Sequence, residues 1–233
     1  MCSRYSLTSP PEAVRSYFKA DGGGDFPPRY NIAPTQPVLI VREDITAGRE
    51  LVLVRWGMIP AWVKNPGEFA TLINARSESA HEKPSFRAPL RHRRCLVPTD
   101  GFYEWTGPPR ATRPHLIRPK SDNGAHLFAM AGIWEHWLGA DGSEIETMAI
   151  LTVGANATVA RVHDRMPVIL APRDFDRWLD CTPGSAVPIQ DLLVASPDDR
   201  LDILAVSTRL NNSRHEGREL LSDDGVGMDA KLI

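Results

Sequence analysis

The chain has 233 residues, of which 42% are hydrophobic and 24% charged, and its formal net charge is −2. These values are ordinary for a soluble globular protein, and the length allows one large core. The weak negative charge excludes a protein that binds nucleic acid by bulk electrostatics, so any such site has to be a local patch. No linker or composition break divides the sequence, which predicts a single domain over residues 1–233.

The first predicted element is a helix over residues 9–20. Ser9 and Glu12 have the spacing of a capping box, with two prolines between them at the first turn. Val14 and Phe18 then share one face of the helix. A run of three glycines follows and ends the helix.

Short apolar runs next predict a succession of strands. They cover Val38–Val41, Leu51–Trp56, Arg94–Pro98, Gly101–Trp105, Leu127–Trp137, Thr147–Val153 and Val168–Leu170, with further runs at Leu192–Ala195 and Ile203–Val206. Gly139 and Gly142 predict a hairpin turn between the two longest runs. Helices are predicted over Ala155–Val162 and Pro172–Asp180. This pattern predicts an α+β fold with an antiparallel-rich, barrel-like sheet arrangement and a few peripheral helices.

The cysteines are Cys2, Cys95 and Cys181, an odd number at wide spacing. Neither a CxxC pair nor a Cys/His cluster at zinc spacing is present, so we predict no disulfide framework, no metal site and no cofactor. The N-terminus lacks the pattern of a secretory signal, and no apolar run reaches membrane-spanning length. The sequence therefore predicts a cytoplasmic monomer that is independent of membranes.

The position of Cys2 gives it chemistry that an internal cysteine lacks. Once Met1 is removed, Cys2 presents a primary amine and a thiol on adjacent carbons. An α-amine has a pKa near 7.7–8.0 against about 10.4 for lysine, so more of it is unprotonated at neutral pH. After this amine condenses with an aldehyde, the thiol can close a five-membered thiazolidine ring, an intramolecular step with an effective molarity of up to about 10⁵–10⁸ M. Taken alone, however, Cys2 could equally be an incidental cysteine.

Several motifs accompany Cys2 along the chain. They are MCSRY at residues 1–5, RYNIAP at 29–34, WGMIPAW at 56–62, LINARSE at 72–78, RCLVP at 94–98, GFYEW at 101–105 and VHDRMPV at 162–168. In this order they resemble the SOS-response-associated peptidase (SRAP) family of abasic-site processing proteins. The match runs from residue 2 to about residue 170, with a weaker echo as far as residue 221.

The resemblance implies a function and a set of catalytic residues. Family members use the cysteine after the initiator Met to link covalently to the ring-opened sugar of an abasic site in single-stranded DNA, which shields the lesion in the DNA damage response. By motif, the catalytic residues here are Cys2, Asn74, Glu104 and His163. Asn74 would orient groups around the Cys2 amine, Glu104 would act as general acid and base, and His163 would assist opening of the sugar ring. Taken singly, these side chains could instead be a strand-end asparagine, a salt-bridged carboxylate and a surface ion-pair histidine.

DNA contacts are predicted beside the same motifs. Arg4, Arg76 and Arg165 are candidates for holding the phosphates that flank the lesion, and Trp62 is a candidate for contacting a base. The family name also implies self-processing that exposes Cys2, although a general aminopeptidase would suffice. An imine at Cys2 further implies abasic-site lyase activity through β-elimination.

Two other functions fit parts of the sequence. One is an N-terminal-nucleophile hydrolase, in which the thiolate of Cys2 attacks an amide. The other is a non-catalytic nucleic-acid-binding module that uses the basic segment Arg87–Arg94. The first predicts an acyl-enzyme, and the second predicts salt-sensitive binding that needs no lesion.

Overall fold

The computed structural model describes residues 2–44, 48–120, 126–182 and 188–222. Met1, whose removal is predicted above, lies outside these ranges. The strands are β1 Tyr5–Leu7, β2 Asp21–Gly22, β3 Arg29–Ile32, β4 Pro37–Asp44, β5 Gly48–Trp56, β6 Asn74–Arg76, β7 Arg94–Thr99, β8 Gly101–Thr106, β9 Arg113–Pro119, β10 Phe128–Leu138, β11 Glu144–Gly154, β12 Arg165–Pro167, β13 Ile169–Leu170 and β14 Leu201–Ala205. The helices are α1 Pro11–Phe18, α2 Ser77–Ala80, α3 Arg87–His92 and α4 Phe175–Leu179. None of the described helices is long and apolar enough to span a membrane.

Five strands form a closed barrel. Neighbouring strands in the order β11-β10-β7-β4-β5 pair antiparallel, and β5 then pairs in parallel with β11, where residues 55–56 lie opposite 147–148. Ile40, Leu96 and Ile150 are fully buried members of the main hydrophobic core. Because the barrel is closed, its strands pair backbone N–H and C=O groups that an open sheet edge would leave unpaired.

A second, antiparallel sheet packs against the barrel. Its strand order is β14-β9-β8-β1-β3. The ring of Tyr5 in this sheet meets the ring of Trp56 in the barrel edge to face, with centroids 5.3 Å apart. Two short strands, β6 and β12, extend the barrel by pairing with β11. The predicted α+β class with a barrel-like sheet and peripheral helices is therefore confirmed.

The apolar runs located most of the barrel correctly. The runs at residues 38–41, 51–56 and 94–98 lie within β4, β5 and β7, and the predicted hairpin is formed by β10 and β11. The predicted helix at residues 172–180 appears as a 3-10 segment followed by α4.

Three local predictions were wrong. The run at residues 192–195 is not a strand, because Leu192 ends the 3-10 segment Gln190–Leu192 and bends follow it. The hydroxyl of Ser9 does not cap α1, because it donates to Asp100 Oδ1 at 2.5 Å, and Pro10 takes the N-cap position instead. The predicted helix over residues 155–162 is reduced to the 3-10 segment Val159–Arg161. Asn156 caps this short segment, because its Oδ1 accepts from the amide of Val159 at 2.8 Å, while its own amide donates to the carbonyl of Ser196 at 2.8 Å.

The basic segment Arg87–Arg94 is only partly a solvent-exposed face. The guanidinium of Arg94 is buried and donates to the carbonyls of Leu90 at 3.0 Å, Trp178 at 2.6 Å and Asp180. These carbonyls belong to the ends of α3 and α4, where helices leave acceptors unsatisfied. Arg94 therefore joins two helix ends rather than offering a charge to DNA.

Replacing Arg94 with Ala is expected to lower the free energy of unfolding by about 3 kcal/mol, because several buried carbonyls lose their donor. Urea denaturation measures the change. Arg91→Ala is the matched control: Arg91 is exposed on the same segment, and its loss is expected to change stability by no more than about 0.5 kcal/mol. Equal stability of the two variants would contradict the capping role of Arg94.

Candidate active site

The N-terminal segment reaches the site by pairing with β8. Tyr5 lies opposite Phe102 in the antiparallel register, and the amide of Tyr103 donates to the carbonyl of Arg4 at 3.0 Å. Because the two strands run in opposite directions, residues 2–3 come alongside Glu104. The side chain of Cys2 is fully buried there.

The alternation of β8 turns Glu104 toward the barrel. Phe102 belongs to the main core, whereas Tyr103 belongs to a smaller cluster on the outer face of the sheet. Since successive side chains of a strand point to opposite faces, Glu104 shares the inner face with Phe102. Only 2% of Glu104 is exposed, so it lies at the seam between the sheet and the barrel.

Asn74 approaches from the barrel side. It begins β6, which pairs in parallel with β11 so that Asn74 lies opposite Ile150. Its amide donates to the carbonyl of Cys2 at 2.8 Å. The Oδ1 atom of Asn74 is buried and has no hydrogen-bond partner among the residues that the structure describes. This acceptor is available for a donor that arrives with substrate.

His163 completes the group from the segment before β12. Its Nε2 lies 4.0 Å from Glu104 Oε2. The amide of Arg165 donates to His163 Nδ1 at 2.9 Å, which places the proton of the neutral ring on Nε2, facing Glu104. Burial lowers the pKa of His163, while Asp164, whose Oδ1 is 3.0 Å from Nδ1, opposes part of that change.

The pKa values of the site follow from its burial. Burial raises the pKa of Glu104 to about 7, so its protonated and ionised forms coexist at neutral pH. Burial also raises the pKa of the Cys2 thiol, and the nearby charge of Glu104 raises it further. The site therefore combines a carboxyl that can give or take a proton with a thiol that stays protonated.

The structure brings together all four side chains that the sequence predicted as catalytic. Asn74 contacts the backbone of Cys2, Glu104 influences its thiol, and His163 faces Glu104. These residues come from four separate segments of the chain. Such an arrangement can supply an acid, a base and an orienting amide around one reacting atom.

Protein groups hold two of the three predicted DNA-contacting arginines in place. Arg4 Nη1 donates to Asn31 Oδ1 at 2.7 Å and to the carbonyl of Leu210 at 3.1 Å. Arg165 forms a two-pronged pair with Glu78, with distances of 2.6 and 2.9 Å. Arg76 is exposed.

Trp62 lies on a loop after β5. The isolated bridge between Met58 and Leu72 closes this loop before β6 begins. The indole of Trp62 is 57% exposed, and it meets the ring of Phe69 edge to face at 5.5 Å. The structure thus leaves a large aromatic surface open to solvent.

Sequence reasoning gave no role to two residues that support the site. Asn31 is fully buried, and its amide donates to the carbonyls of Asn212 at 3.1 Å and His215 at 3.0 Å. Glu78 orients Arg165. Both residues lie inside the motifs named above. The position of Asn31 between Tyr30 and Ile32 could have indicated a buried polar residue.

Among the described residues, no group of three or more His, Cys, Asp or Glu side chains could hold a metal ion. The polar groups of the site are those of the four side chains and the backbone around them.

Comparison with known proteins gives a consistent result. A family model described as SOS response associated peptidase (SRAP) matches residues 1–213. Abasic site processing protein YoqW of Bacillus subtilis (strain 168) is 37% identical over 225 residues, covering 95% of this chain and 99% of the relative. Abasic site processing protein HMCES of Xenopus tropicalis is 32% identical over 265 residues, covering 95% of this chain and 78% of the relative.

Solved structures share the fold. A protein of Bordetella bronchiseptica is 29% identical, with a TM-score of 0.75 over 88% of this chain and 100% of that one. A protein of Bacteroides thetaiotaomicron, 24% identical, has a TM-score of 0.83 over 95% of this chain and 99% of that one. The second comparison concerns the fold alone.

Proposed function

The chain belongs to the SRAP family, and from this premise we propose that it captures abasic sites in single-stranded DNA as a covalent thiazolidine on Cys2. The reaction requires the free α-amine of Cys2, and therefore prior removal of Met1. The observation that carries the proposal is the convergence of Asn74, Glu104 and His163 on Cys2. Asn74 lies 2.8 Å from the Cys2 carbonyl, and His163 lies 4.0 Å from Glu104.

The proposed reaction has three steps. The amine nitrogen adds to the aldehyde carbon of the ring-opened deoxyribose and gives a carbinolamine. Loss of one water molecule gives the imine. The sulfur of Cys2 then adds to the same carbon, and the thiol proton passes to the nitrogen. Overall one C–N and one C–S bond form, and the aldehyde oxygen leaves as water.

Glu104 suits the proton transfers of these steps. Its pKa of about 7 lets it protonate the departing hydroxyl and later accept a proton at the same pH. His163, with a proton on Nε2 directed at Glu104, assists opening of the deoxyribose ring. The open Oδ1 acceptor of Asn74 orients the amine or the carbinolamine hydroxyl.

The protonated thiol favours this order of events over direct attack by sulfur. A hydrolase of the N-terminal-nucleophile type would need a thiolate as its first nucleophile. Burial and Glu104 both raise the pKa of the Cys2 thiol and oppose that state. The amine consequently reacts first, and the thiol follows intramolecularly.

Two further activities belong to the same proposal. The imine also permits β-elimination of the 3′ phosphate, so a lyase activity competes with ring closure. Release of Met1 by the protein itself, with Glu104 as the acid and base, would expose the reactive terminus without a separate aminopeptidase.

A gel experiment tests the proposal. Protein lacking Met1 is mixed with single-stranded DNA that carries one abasic site, and we expect a covalent band that survives heat and denaturant. The matched substrate carries tetrahydrofuran, which has no aldehyde, and should give no band. If the abasic substrate also gives no band, the proposed function is wrong.

A further inference from the structure

The inner face of the β8–β9 hairpin continues past Glu104 toward the exposed tip. Thr106 is two residues beyond Glu104 on β8 and therefore shares its face. In the antiparallel register, His115 lies opposite Glu104 and Arg113 lies opposite Thr106. Ile117 is two residues beyond His115 on β9 and therefore shares its face. Since Ile117 belongs to the main core, this face of the hairpin is the one directed toward the barrel.

These three polar side chains form one cluster. Thr106 Oγ1 and His115 Nε2 are 2.9 Å apart. Burial lowers the pKa of His115, and the charge of Arg113 lowers it further. Arg113 itself is exposed, whereas Thr106 and His115 are half-buried.

The cluster lies close to the proposed reaction centre. Two residues of strand advance about 7 Å, so Thr106 and Arg113 stand about that far beyond Glu104 along the hairpin. A sugar bound to Cys2 beside Glu104 carries a phosphodiester on each side. Because the hairpin tip is only two residues beyond Glu104, it is within reach of one of these phosphodiesters.

We propose that Thr106, Arg113 and His115 form a binding site for the phosphodiester group next to the abasic sugar. The inference rests on the function proposed above and adds a residue set to it. A guanidinium donates two parallel hydrogen bonds to phosphate oxygens, and a hydroxyl supplies a third. The imidazole holds the threonine hydroxyl in place.

The test uses binding without reaction. The probe is a single-stranded oligonucleotide with one central tetrahydrofuran residue, and affinity is measured by fluorescence anisotropy at several salt concentrations. Arg113→Ala is expected to raise Kd about fivefold to tenfold, and to reduce the slope of log K against log salt by about 0.7, the value for one phosphate contact on a single strand. Arg113→Lys should recover much of the slope.

The control is Arg173→Ala, which removes an exposed arginine outside the hairpin and should leave both quantities unchanged. A second probe identifies the phosphate: one methylphosphonate, which is neutral, replaces the phosphodiester on either side of the tetrahydrofuran. With the native protein, one of the two replacements should weaken binding. With Arg113→Ala, the same replacement should make no further difference.

If Arg113→Ala binds as the native protein does, if it keeps the methylphosphonate penalty seen with the native protein, or if neither replacement weakens native binding, the site is wrong. If the native protein gives no covalent band with abasic DNA, but Arg113→Ala still weakens binding to the tetrahydrofuran probe, the proposed function fails while the phosphate site stands.

Discussion

Cys2→Ser is expected to eliminate the heat-stable complex with abasic DNA while preserving formation of the imine. Serine keeps the α-amine but replaces the thiol, so the nitrogen still condenses with the aldehyde and the ring-closing sulfur is lost. Without ring closure, β-elimination meets no competitor, and we expect more strand cleavage than with the native protein. The measurement is a denaturing gel run with and without borohydride, which reduces an imine to a stable amine.

Two comparisons make this result specific. A protein with extra residues ahead of Cys2 keeps the thiol but turns the amine into an amide, and it should give neither complex. Cys181→Ser, which alters a cysteine outside the site, should react normally. A heat-stable band from Cys2→Ser without borohydride would contradict the thiazolidine.

Glu104→Gln is expected to slow formation of the complex by about 10²–10⁴-fold, the usual contribution of a positioned acid or base. The amide has a similar shape but exchanges no proton. In the native protein the rate should fall above about pH 7, as Glu104 loses the proton that assists departure of water. That limb of the pH profile should disappear in Glu104→Gln, while the limb caused by the α-amine remains. If the pH profile of Glu104→Gln equals that of the native protein, a group other than Glu104 carries out the proton transfers.

Glu104→Gln is expected to slow the reaction but to raise the stability of the fold at high pH. The pKa of Glu104 is raised in the folded state from 4.5 to about 7. The folded protein therefore binds the proton more tightly than the unfolded chain, and stability falls as the pH rises through this window. A shift of this size corresponds to about 3 kcal/mol. Glu104→Gln should consequently unfold at a higher temperature than the native protein at pH 8, and at a similar temperature at pH 4.

Barrel strands were predictable where the sequence carried long apolar runs, as in β10 and β11. Strands β1, β3 and β6 were missed because each has only three or four residues and contains polar side chains. Their extended form comes from partners that are distant in sequence: β6, for example, is held by β11 in parallel pairing. Local preference cannot specify such a pairing, because the stabilising hydrogen bonds lie on another strand.

The sequence named the proposed catalytic residues by resemblance but did not predict their geometry. The order of the motifs indicated Cys2, Asn74, Glu104 and His163 by resemblance. That Asn74 holds the Cys2 carbonyl across 72 residues of sequence follows only from the packing of the second sheet against the barrel. Arg4 shows the opposite case: its position beside Cys2 indicated a DNA contact, but one of its nitrogens is occupied by Asn31 and Leu210.

The complete burial of Cys2 bears on how long a captured lesion persists. If the proposed ring forms there, the protein around Cys2 limits the access of water and competing amines to it. The half-life of the linkage then becomes a property of local unfolding rather than of thiazolidine chemistry. On the proposed function, substitutions far from the site that loosen the fold are expected to release the DNA sooner.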